Sequence, residues 1–324
     1  MKAASRIALS LLAALSLAHA GLAVAQAWPT KPVRFYVPAP AGTAPDILGR
    51  LIAEKLQPIW GQQIVIENRA GPGGIPGMSA LVRAPNDAHT FAMLQSSVIT
   101  LTPHMFKDPQ FNGETDIMPI AMAGTAPVVV AVNTSLNVNS LADLIKLAKA
   151  EPGKVTFAAP ILNSVPHLIG EMISASAGIK LLAVPFNGSA QAIPATISGQ
   201  TQMTIDALAP LAPQIKSGKL KAIAVTSERR LPGFENLPTA NETLPKFVAG
   251  GWFGIYGQAA TPEAVANKIN ADVNSVTRLP EISNRFAELG VYVAPGSRKE
   301  LADFAQADKA LWAKIVKDMG IQPQ

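Results

Sequence analysis

The most restrictive feature of the sequence is the complete absence of cysteine among its 324 residues. Disulfides, thiolate nucleophiles, iron–sulfur clusters and cysteine-based zinc sites are therefore excluded. Charged residues are scarce, at 15%, and a formal net charge of +5 gives no basic arm for nucleic acid. Hydrophobic residues make up 48%, so a chain of this length is expected to fold as two lobes with a large buried core.

The first 25 residues are predicted to be a cleaved secretory signal peptide. Lys2 and Arg6 form a positive region, residues 7–17 are apolar, and Ala23-Val24-Ala25 matches a small-x-small cleavage site. A competing cleavage site ends at Ala20. The apolar stretch is too short for a membrane anchor, and no cysteine is present to carry a lipid. The mature protein is therefore expected to be soluble after export.

One uncharged segment, residues 117–142, raises the question of a membrane span. Pro119 and Gly124 interrupt it. Its continuous apolar part, residues 117–132, is shorter than the roughly 20 residues that a spanning helix needs. The segment is therefore predicted to contain a buried strand.

Short β-branched runs alternate with amphipathic stretches, a pattern typical of βαβ units and an α/β fold with mainly parallel sheets. The predicted strands are residues 33–37, 63–67, 90–94, 128–132, 155–158, 181–184, 203–205, 220–225 and 252–256. An apolar helix face is predicted for Ile47, Leu48, Leu51, Ile52, Leu56 and Ile59, and another for Leu301, Phe304, Ala305, Leu311, Trp312 and Ile315. Ser140 and Asp143 have the spacing of a helix cap.

The segments that follow five of these strands contain small, hydroxyl and amide residues but no lysine or arginine. They are residues 38–46, 95–97, 160–164, 185–190 and 206–210. Open α/β sheets bind ligands at the carboxyl ends of their strands, where helices begin. Residues of this kind either leave helix N–H groups open to a carboxylate or simply cap the helices. Both interpretations stay open at this point.

Catalysis is weakly indicated. Ser164 and His167 could form a hydrolase pair, but the only acid available to orient the histidine is the distant Asp206, and no G-x-S-x-G, H-E-x-x-H or P-loop motif occurs. Asp46 is either a helix cap or a direct ligand contact. The glycine run at residues 71–77 misses the dinucleotide fingerprint, because its third glycine arrives one residue late. No cofactor and no metal site are predicted.

Motifs along the whole mature chain form a joint pattern. They are Trp28-Pro29-Thr30-Lys31-Pro32-Val33-Arg34, Asp46-Ile47-Leu48-Gly49-Arg50, Glu67-Asn68-Arg69-Ala70-Gly71-Pro72-Gly73-Gly74, Val184-Pro185-Phe186-Asn187-Gly188-Ser189-Ala190 and Gly218-Lys219-Leu220-Lys221-Ala222-Ile223-Ala224-Val225-Thr226. This pattern resembles the Bug (Bordetella uptake gene) or TctC-like family, the periplasmic solute receptors of tripartite tricarboxylate transporters.

The resemblance implies a two-lobed Venus-flytrap fold in which each lobe is a mainly parallel sheet flanked by helices. Lobe 1 would comprise residues 26–126 and 250–324, lobe 2 residues 127–249, with a hinge near Pro127 and Gly250. The implied function is not enzymatic: a monomer in the periplasm of a Gram-negative bacterium would hold a small organic acid through backbone N–H groups and water. It would deliver this ligand to membrane permease subunits of the transporter.

The resemblance also places the ligand-binding residues. From lobe 1 these are Pro38, Ala41, Gly42, Thr43, Asp46, Ser96 and Ser97, and from lobe 2 they are Asn163, Ser164, His167, Phe186, Asn187, Gly188, Ser189 and Asp206. The first loop departs from the family, which has paired glycines where this chain has Gly42 and Thr43. The Thr43 hydroxyl is a candidate replacement for the lost hydrogen-bond donor.

Three alternatives stay open. Apolar residues near these loops, such as Ile161 and Leu208, accommodate either an aliphatic di- or tricarboxylate or an aromatic carboxylate. An orphan receptor that presents its ligand to a signalling partner fits the same sequence. A secreted hydrolase that uses Ser164 and His167 is the third alternative.

Overall fold

The computed structural model describes residues 28–323, so the predicted signal peptide and its cleavage sites lie outside the described residues. The strands of this part are β1 (Val33–Val37), β2 (Ile64–Asn68), β3 (Thr90–Gln95), β4 (Ile117–Asn133), β5 (Thr156–Ala159), β6 (Leu182–Pro185), β7 (Met203–Ala207), β8 (Leu220–Val225) and β9 (Gly250–Gln258). The helices are α1 (Ala44–Trp60), α2 (Ile75–Val82), α3 (Ser97–Thr100), α4 (Thr102–Met105), α5 (Leu141–Ala150), α6 (Val165–Ala177), α7 (Ser189–Ile197), α8 (Leu208–Lys216), α9 (Glu263–Arg278), α10 (Pro280–Glu288) and α11 (Arg298–Asp318).

The strands form one sheet in the order β2-β1-β3-β9-β4-β7-β5-β6, with β8 also paired to β4. Strands β1, β2 and β3 are parallel, as are β5, β6 and β7. The long strand β4 changes partner along its length: it pairs with β9 up to Pro127, which faces Gly250, and with β7 and β8 from Val128 onward. The sheet is thus divided into two halves at this point.

The strands that cross between the halves are antiparallel to their neighbours, a feature that the expectation of mainly parallel sheets did not include. The physical reason is the path of the chain. Strand β4 leads from the first half into the second and β9 leads back, so the two strands run side by side in opposite directions.

Each half has its own buried core. Phe35, Leu48 and Ile255 belong to the first core, and Val130, Phe157 and Ile169 belong to the second. Helix α11 contributes to both halves, because Leu301 packs in a cluster with Trp252 on β9 whereas Trp312 packs with the second core. The last helix therefore connects the two halves beside the crossing strands.

The strand predictions agree with the structure, and residues 117–132 belong to β4. Within residues 28–323, no helix combines the length and apolarity needed to cross a membrane. The predicted helix faces were wrong at three positions: Ile59, Phe304 and Leu311 are 49%, 42% and 52% exposed. In the last turn of α1 the buried position is taken by Trp60, and the two α11 side chains line a shallow groove beside Val248.

Candidate functional site

A cavity lies between the two halves, where the segments that follow β1, β3, β5 and β6, together with the end of β7, meet β4 and β9. Its volume is about 40 Å³, which is room for a few water-sized groups. A wider cleft of about 590 Å³ opens beside it, and Ile161 lines both spaces. We call them the inner cavity and the outer cleft.

Three of the longer helices begin at the wall of the inner cavity, in addition to the single turn α3, which begins at Ser97. Ala44, Val165 and Ser189 are the first residues of α1, α6 and α7, and all three line the cavity. N–H groups in the first turn of a helix have no partner within the helix. In the described part of the chain, the backbone N–H groups of these three residues donate no hydrogen bond. Three backbone donors are therefore available to a ligand.

The residues that precede two of these helices could cap them but do not. The Thr43 hydroxyl donates to the Pro40 carbonyl oxygen at 2.6 Å, and the Ser164 hydroxyl donates to the Ile161 carbonyl oxygen at 2.6 Å. Both hydroxyls thus stabilise their own loops, which leaves the helix N–H groups open. Thr43 therefore does not present its hydroxyl proton to a ligand in the way that its position suggested.

Two helices that begin away from the cavity have the opposite arrangement. Ser140 accepts a hydrogen bond from the Asp143 N–H at the start of α5, as its spacing predicted. Ser297 and Glu300 form a capping box at the start of α11. Serine side chains therefore cap the helices that begin away from the cavity, whereas at the cavity the hydroxyl groups of Thr43 and Ser164 bond to their own loops instead.

Asp46 anchors the loop after β1. The residue is 4% exposed; one carboxylate oxygen accepts a hydrogen bond from the Gly42 N–H at 2.9 Å, and the other accepts hydrogen bonds from Arg50 Nε and Asn68 Nδ2, each at 3.0 Å. Burial alone would raise the pKa of Asp46, but the hydrogen bonds from Arg50, Gly42 and Asn68 bring it below its usual value. The Asp46 carboxylate is therefore fully engaged in holding the loop, and it does not line the inner cavity.

His167 supports the loop after β5. Its Nδ1 accepts the Asn163 N–H at 3.3 Å, and its ring stacks on Phe157 with a centroid distance of 6.3 Å. Asn163 has a positive φ of 59°, so the loop needs such support. Burial lowers the pKa of His167, which keeps the ring neutral and able to accept this bond. His167 and Ser164 are not hydrogen-bonded to each other, so a nucleophile–base pair is not formed.

The loop after β6 brings the two halves into contact through Gly188. Its φ is +113°, and a Cβ atom at this position would lie 2.8 Å from Cβ of Pro40 in the loop after β1. Only glycine fits both the backbone and this close approach. Phe186 and Asn187, just before it, line the outer cleft.

Asp206 is the acid of the inner cavity, at the end of β7. Its Oδ2 accepts a hydrogen bond from the Ser189 hydroxyl at 2.6 Å, its Oδ1 accepts one from the Ala207 N–H at 2.8 Å, and the residue is 5% exposed. Burial raises the pKa of Asp206 to about 7, although the bonds from Ser189 and Ala207 act in the opposite direction. No lysine, arginine or histidine lines this cavity. Nor do residues 28–323 contain a cluster of acidic and histidine residues suited to a metal ion.

The predicted site residues fall into three groups. Thr43, Ser96, Ser97, Ser164, Ser189 and Asp206 line the inner cavity. Pro38, Asn163, Phe186 and Asn187 line the outer cleft. Ala41, Gly42, Asp46, His167 and Gly188 line neither space and instead shape the loops that do.

The crossing strands contribute cavity residues that the sequence did not single out as binding residues. Ala126, Val128, Gly251, Trp252 and Phe253 all line the inner cavity. They were expected only as parts of buried strands or of the hinge, because apolar residues and glycine carry no signal of a polar site. Trp252 is fixed by a hydrogen bond from its Nε1 to Asp308 on α11, at 2.8 Å.

The sequence and the structure are similar to those of known receptors and periplasmic binding proteins. A model of the tripartite tricarboxylate transporter family receptor, TctC, matches residues 47–321. BugT of Bordetella pertussis (strain Tohama I) is 30% identical over 94% of this chain and 95% of its own. The structure of R. palustris Rpa4515 with adipate is 30% identical, with a TM-score of 0.89 over 92% of this chain and 100% of that chain. The periplasmic binding protein BugD is 28% identical, with a TM-score of 0.87 over 92% of this chain and 100% of that chain.

These similarities confirm the two-lobed flytrap fold and the resemblance from which it was expected. The matching family is one of solute receptors, not of enzymes, so the hydrolase alternative was wrong, in keeping with the separate hydrogen bonds of Ser164 and His167. The chain belongs to the TctC family of tripartite tricarboxylate transporter receptors.

Proposed function

We propose that this protein captures a small organic carboxylate between its lobes and delivers it to membrane permease subunits of a tripartite tricarboxylate transporter. The observation that carries this proposal is the meeting of three uncapped helix starts, at Ala44, Val165 and Ser189, in one cavity that no cationic side chain lines. Each helix start carries a partial positive charge and open N–H donors, which together favour an anion.

The small size of the cavity, about 40 Å³, strengthens this preference. A carboxylate held between buried dipoles is screened much less than one on an open surface. Three helix starts can therefore stabilise the negative charge of a ligand, as a lysine or arginine does in other anion sites.

The proposed ligand class is a small organic acid with an apolar body. The similar R. palustris protein was solved with adipate, an aliphatic dicarboxylate. The inner cavity suits one carboxylate, and the outer cleft, lined by Phe186, Leu162 and Ile161, has space for the rest of the molecule. An aromatic carboxylate could be placed in the same way, with its carboxylate in the inner cavity and its ring in the outer cleft. The test therefore includes both an aliphatic and an aromatic acid.

We further propose that the lobes comprise residues 26–126 with 250–324 and residues 127–249, with the hinge at Pro127 and Gly250. The change of partner along β4 at this pair supports the division. Capture would then work by closure, since a ligand that contacts both lobes stabilises the closed form. Export to the periplasm through the predicted signal peptide, and action as a monomer, belong to the same proposal.

The test is titration calorimetry with adipate, benzoate and the neutral diamide of adipic acid. We expect one-to-one binding of at least one acid and no binding of the diamide, which lacks the charge that the helix starts stabilise. Affinity should change little with salt, because the site is buried. Binding of the diamide as strong as that of adipate, or a steep loss of affinity with salt, would contradict the proposed site.

A further inference from the structure

The inner cavity combines donors for an anion with a carboxyl group of its own. Asp206 lines the same space as the open helix starts and is 5% exposed. Its situation differs from that of Asp46, the other buried aspartate of the site loops, because Asp46 has the Arg50 guanidinium 2.9 Å away. Asp206 has only the Ser189 hydroxyl and the Ala207 N–H.

The charged groups on neighbouring elements do not neutralise Asp206. Helix α6, packed against β7, carries His167 and Glu171, and His167 Nε2 lies 3.9 Å from Glu171 Oε1. Helix α8, also packed against β7, carries Lys216, whose side chain is exposed. None of these groups forms a hydrogen bond or ion pair with Asp206 in the described part of the chain. A ligand carboxylate in the inner cavity would therefore meet an acid that has no counter-charge.

The bond between Ser189 and Asp206 allows two arrangements of hydrogen. When Asp206 is ionised, the single proton of the Ser189 hydroxyl points to Oδ2, so the pair offers only acceptors to the cavity. When Asp206 is protonated, its own O–H donates to Ser189 Oγ. The Ser189 proton is then free to turn toward the cavity and donate to a ligand oxygen.

We propose that the Ser189–Asp206 pair couples capture of an anionic ligand to the uptake of one proton, which resides on Asp206 while Ser189 donates to the ligand. The proton comes from the buffer acid in bulk solvent: its bond to that acid breaks, the acid keeps the electron pair as its conjugate base, and a new O–H bond forms on the Asp206 carboxylate. The inference rests on the proposed function and adds a specificity-determining residue to it. Burial already holds the pKa of Asp206 near 7, so a nearby anion raises it further and makes protonation at neutral pH favourable.

The first test needs no ligand. The thermal unfolding midpoint of the wild type is compared with that of Asp206→Asn between about pH 5 and pH 9. Because the pKa of Asp206 is raised on folding, its protonated form stabilises the fold at low pH, and this contribution is lost as pH rises through 7. We expect the wild type to lose stability relative to the variant between about pH 5 and pH 7, and the difference to level off above pH 7. A difference that stays constant over this range contradicts the proposal.

The second test measures adipate and benzoate binding by calorimetry in buffers of different ionisation enthalpy, at about pH 8. The wild type is expected to take up close to one proton, and its affinity to fall about tenfold per pH unit above the pKa of free Asp206. Asp206→Asn keeps a donor for Ser189, so it should bind without proton uptake and with no pH dependence. Asp143→Asn, at the exposed start of α5, is the matched control and should retain the coupling of the wild type.

The outcomes separate the two proposals. If neither acid binds, the proposed function is contradicted and the coupling with it. If the wild type binds with equal affinity at about pH 6 and pH 9, or if Asp206→Asn retains the proton uptake, only the coupling is contradicted.

Discussion

At the scale of residues, the two buried aspartates show how local partners determine the behaviour of one side chain. Asp46 is surrounded by donors and a guanidinium, so its charged form is favoured. Asp206 is surrounded by apolar groups and two neutral donors, so its charged form is disfavoured. The two residues therefore contribute to stability over opposite ranges of pH.

Replacement of Asp46 by asparagine tests this difference. Because the pKa of Asp46 is lowered on folding, its contribution is present above its ordinary value of 3.8 and is lost as pH falls through the lowered value. We expect Asp46→Asn to reduce the free energy of unfolding by about 1–3 kcal/mol at neutral pH, and by less below pH 3.8. Denaturant unfolding measures both. Asp303→Asn, which removes an exposed ion pair with Lys299, should change the free energy by less than about 0.5 kcal/mol.

Gly188 gives a second test at the residue scale. Gly188→Ala and Gly218→Ala both place alanine at a positive φ, +113° and +69°, so each should cost about 1–3 kcal/mol of stability. Only at Gly188 does the new Cβ also meet Pro40, in the loop after β1 and in the other proposed lobe, whereas no atom lies within 4 Å at Gly218. We expect adipate affinity to fall at least about tenfold in Gly188→Ala alone. Equal affinities of the two variants would exclude a role for this contact in closure.

At the scale of elements, the starts of the helices determine the chemistry of the cavity. Helices α5 and α11 begin with serine caps, whereas α1, α6 and α7 begin at the cavity without side-chain caps. A helix start without a cap loses about 1 kcal/mol of stability. At α1 and α6, which follow Thr43 and Ser164, this loss accompanies the open backbone donors, whereas at α7 the preceding Gly188 limits it to about a few tenths of a kcal/mol.

A proline at the first position of α6 tests the role of the Val165 N–H group independently of the stability of the helix. Val165→Pro removes one N–H group but preserves the helix, because proline is well tolerated at the first helical position and Ser164 is already extended. We expect calorimetry to show an affinity for adipate that is lower by about tenfold, which corresponds to about 1.4 kcal/mol. Val165→Ala keeps the N–H group and loses buried volume, so it should lose stability and retain affinity. A Val165→Pro variant that binds like the wild type would show that this donor is not used.

At the scale of the whole molecule, the absence of cysteine makes closure directly testable. A Cβ atom built on Gly42 lies 3.9 Å from Cβ of Ala190, within the range of about 3.5–4.5 Å for disulfides. The two residues belong to opposite proposed lobes. In a Gly42→Cys, Ala190→Cys double variant, we expect adipate to accelerate disulfide formation and the oxidised protein to exchange ligand slowly. The single variant Ala190→Cys is the control for ligand exchange, and a rate of disulfide formation that adipate does not change would contradict closure.

Most of the fold could be predicted from the sequence because its signals are local. The strands follow from β-branched runs, and the cap at Ser140 follows from a spacing of three residues. The roles of Gly188 and Asp206 could not be derived in this way. Gly188 depends on Pro40, which is distant in the chain, and Asp206 depends on the burial that tertiary packing creates. His167 was expected near the ligand, and only the structure places its Nδ1 on the Asn163 N–H.

Trp252 lies between the site and the rest of the molecule. The residue lines the inner cavity, and its ring lies 6.0 Å from that of Phe304, measured between centroids. Its indole N–H donates a hydrogen bond to Asp308. Indole fluorescence responds to the polarity around the ring and to the breaking of such a bond. We therefore expect the indole emission of Trp252 to report occupancy of the inner cavity, so that uptake of a solute can be followed in real time without a label.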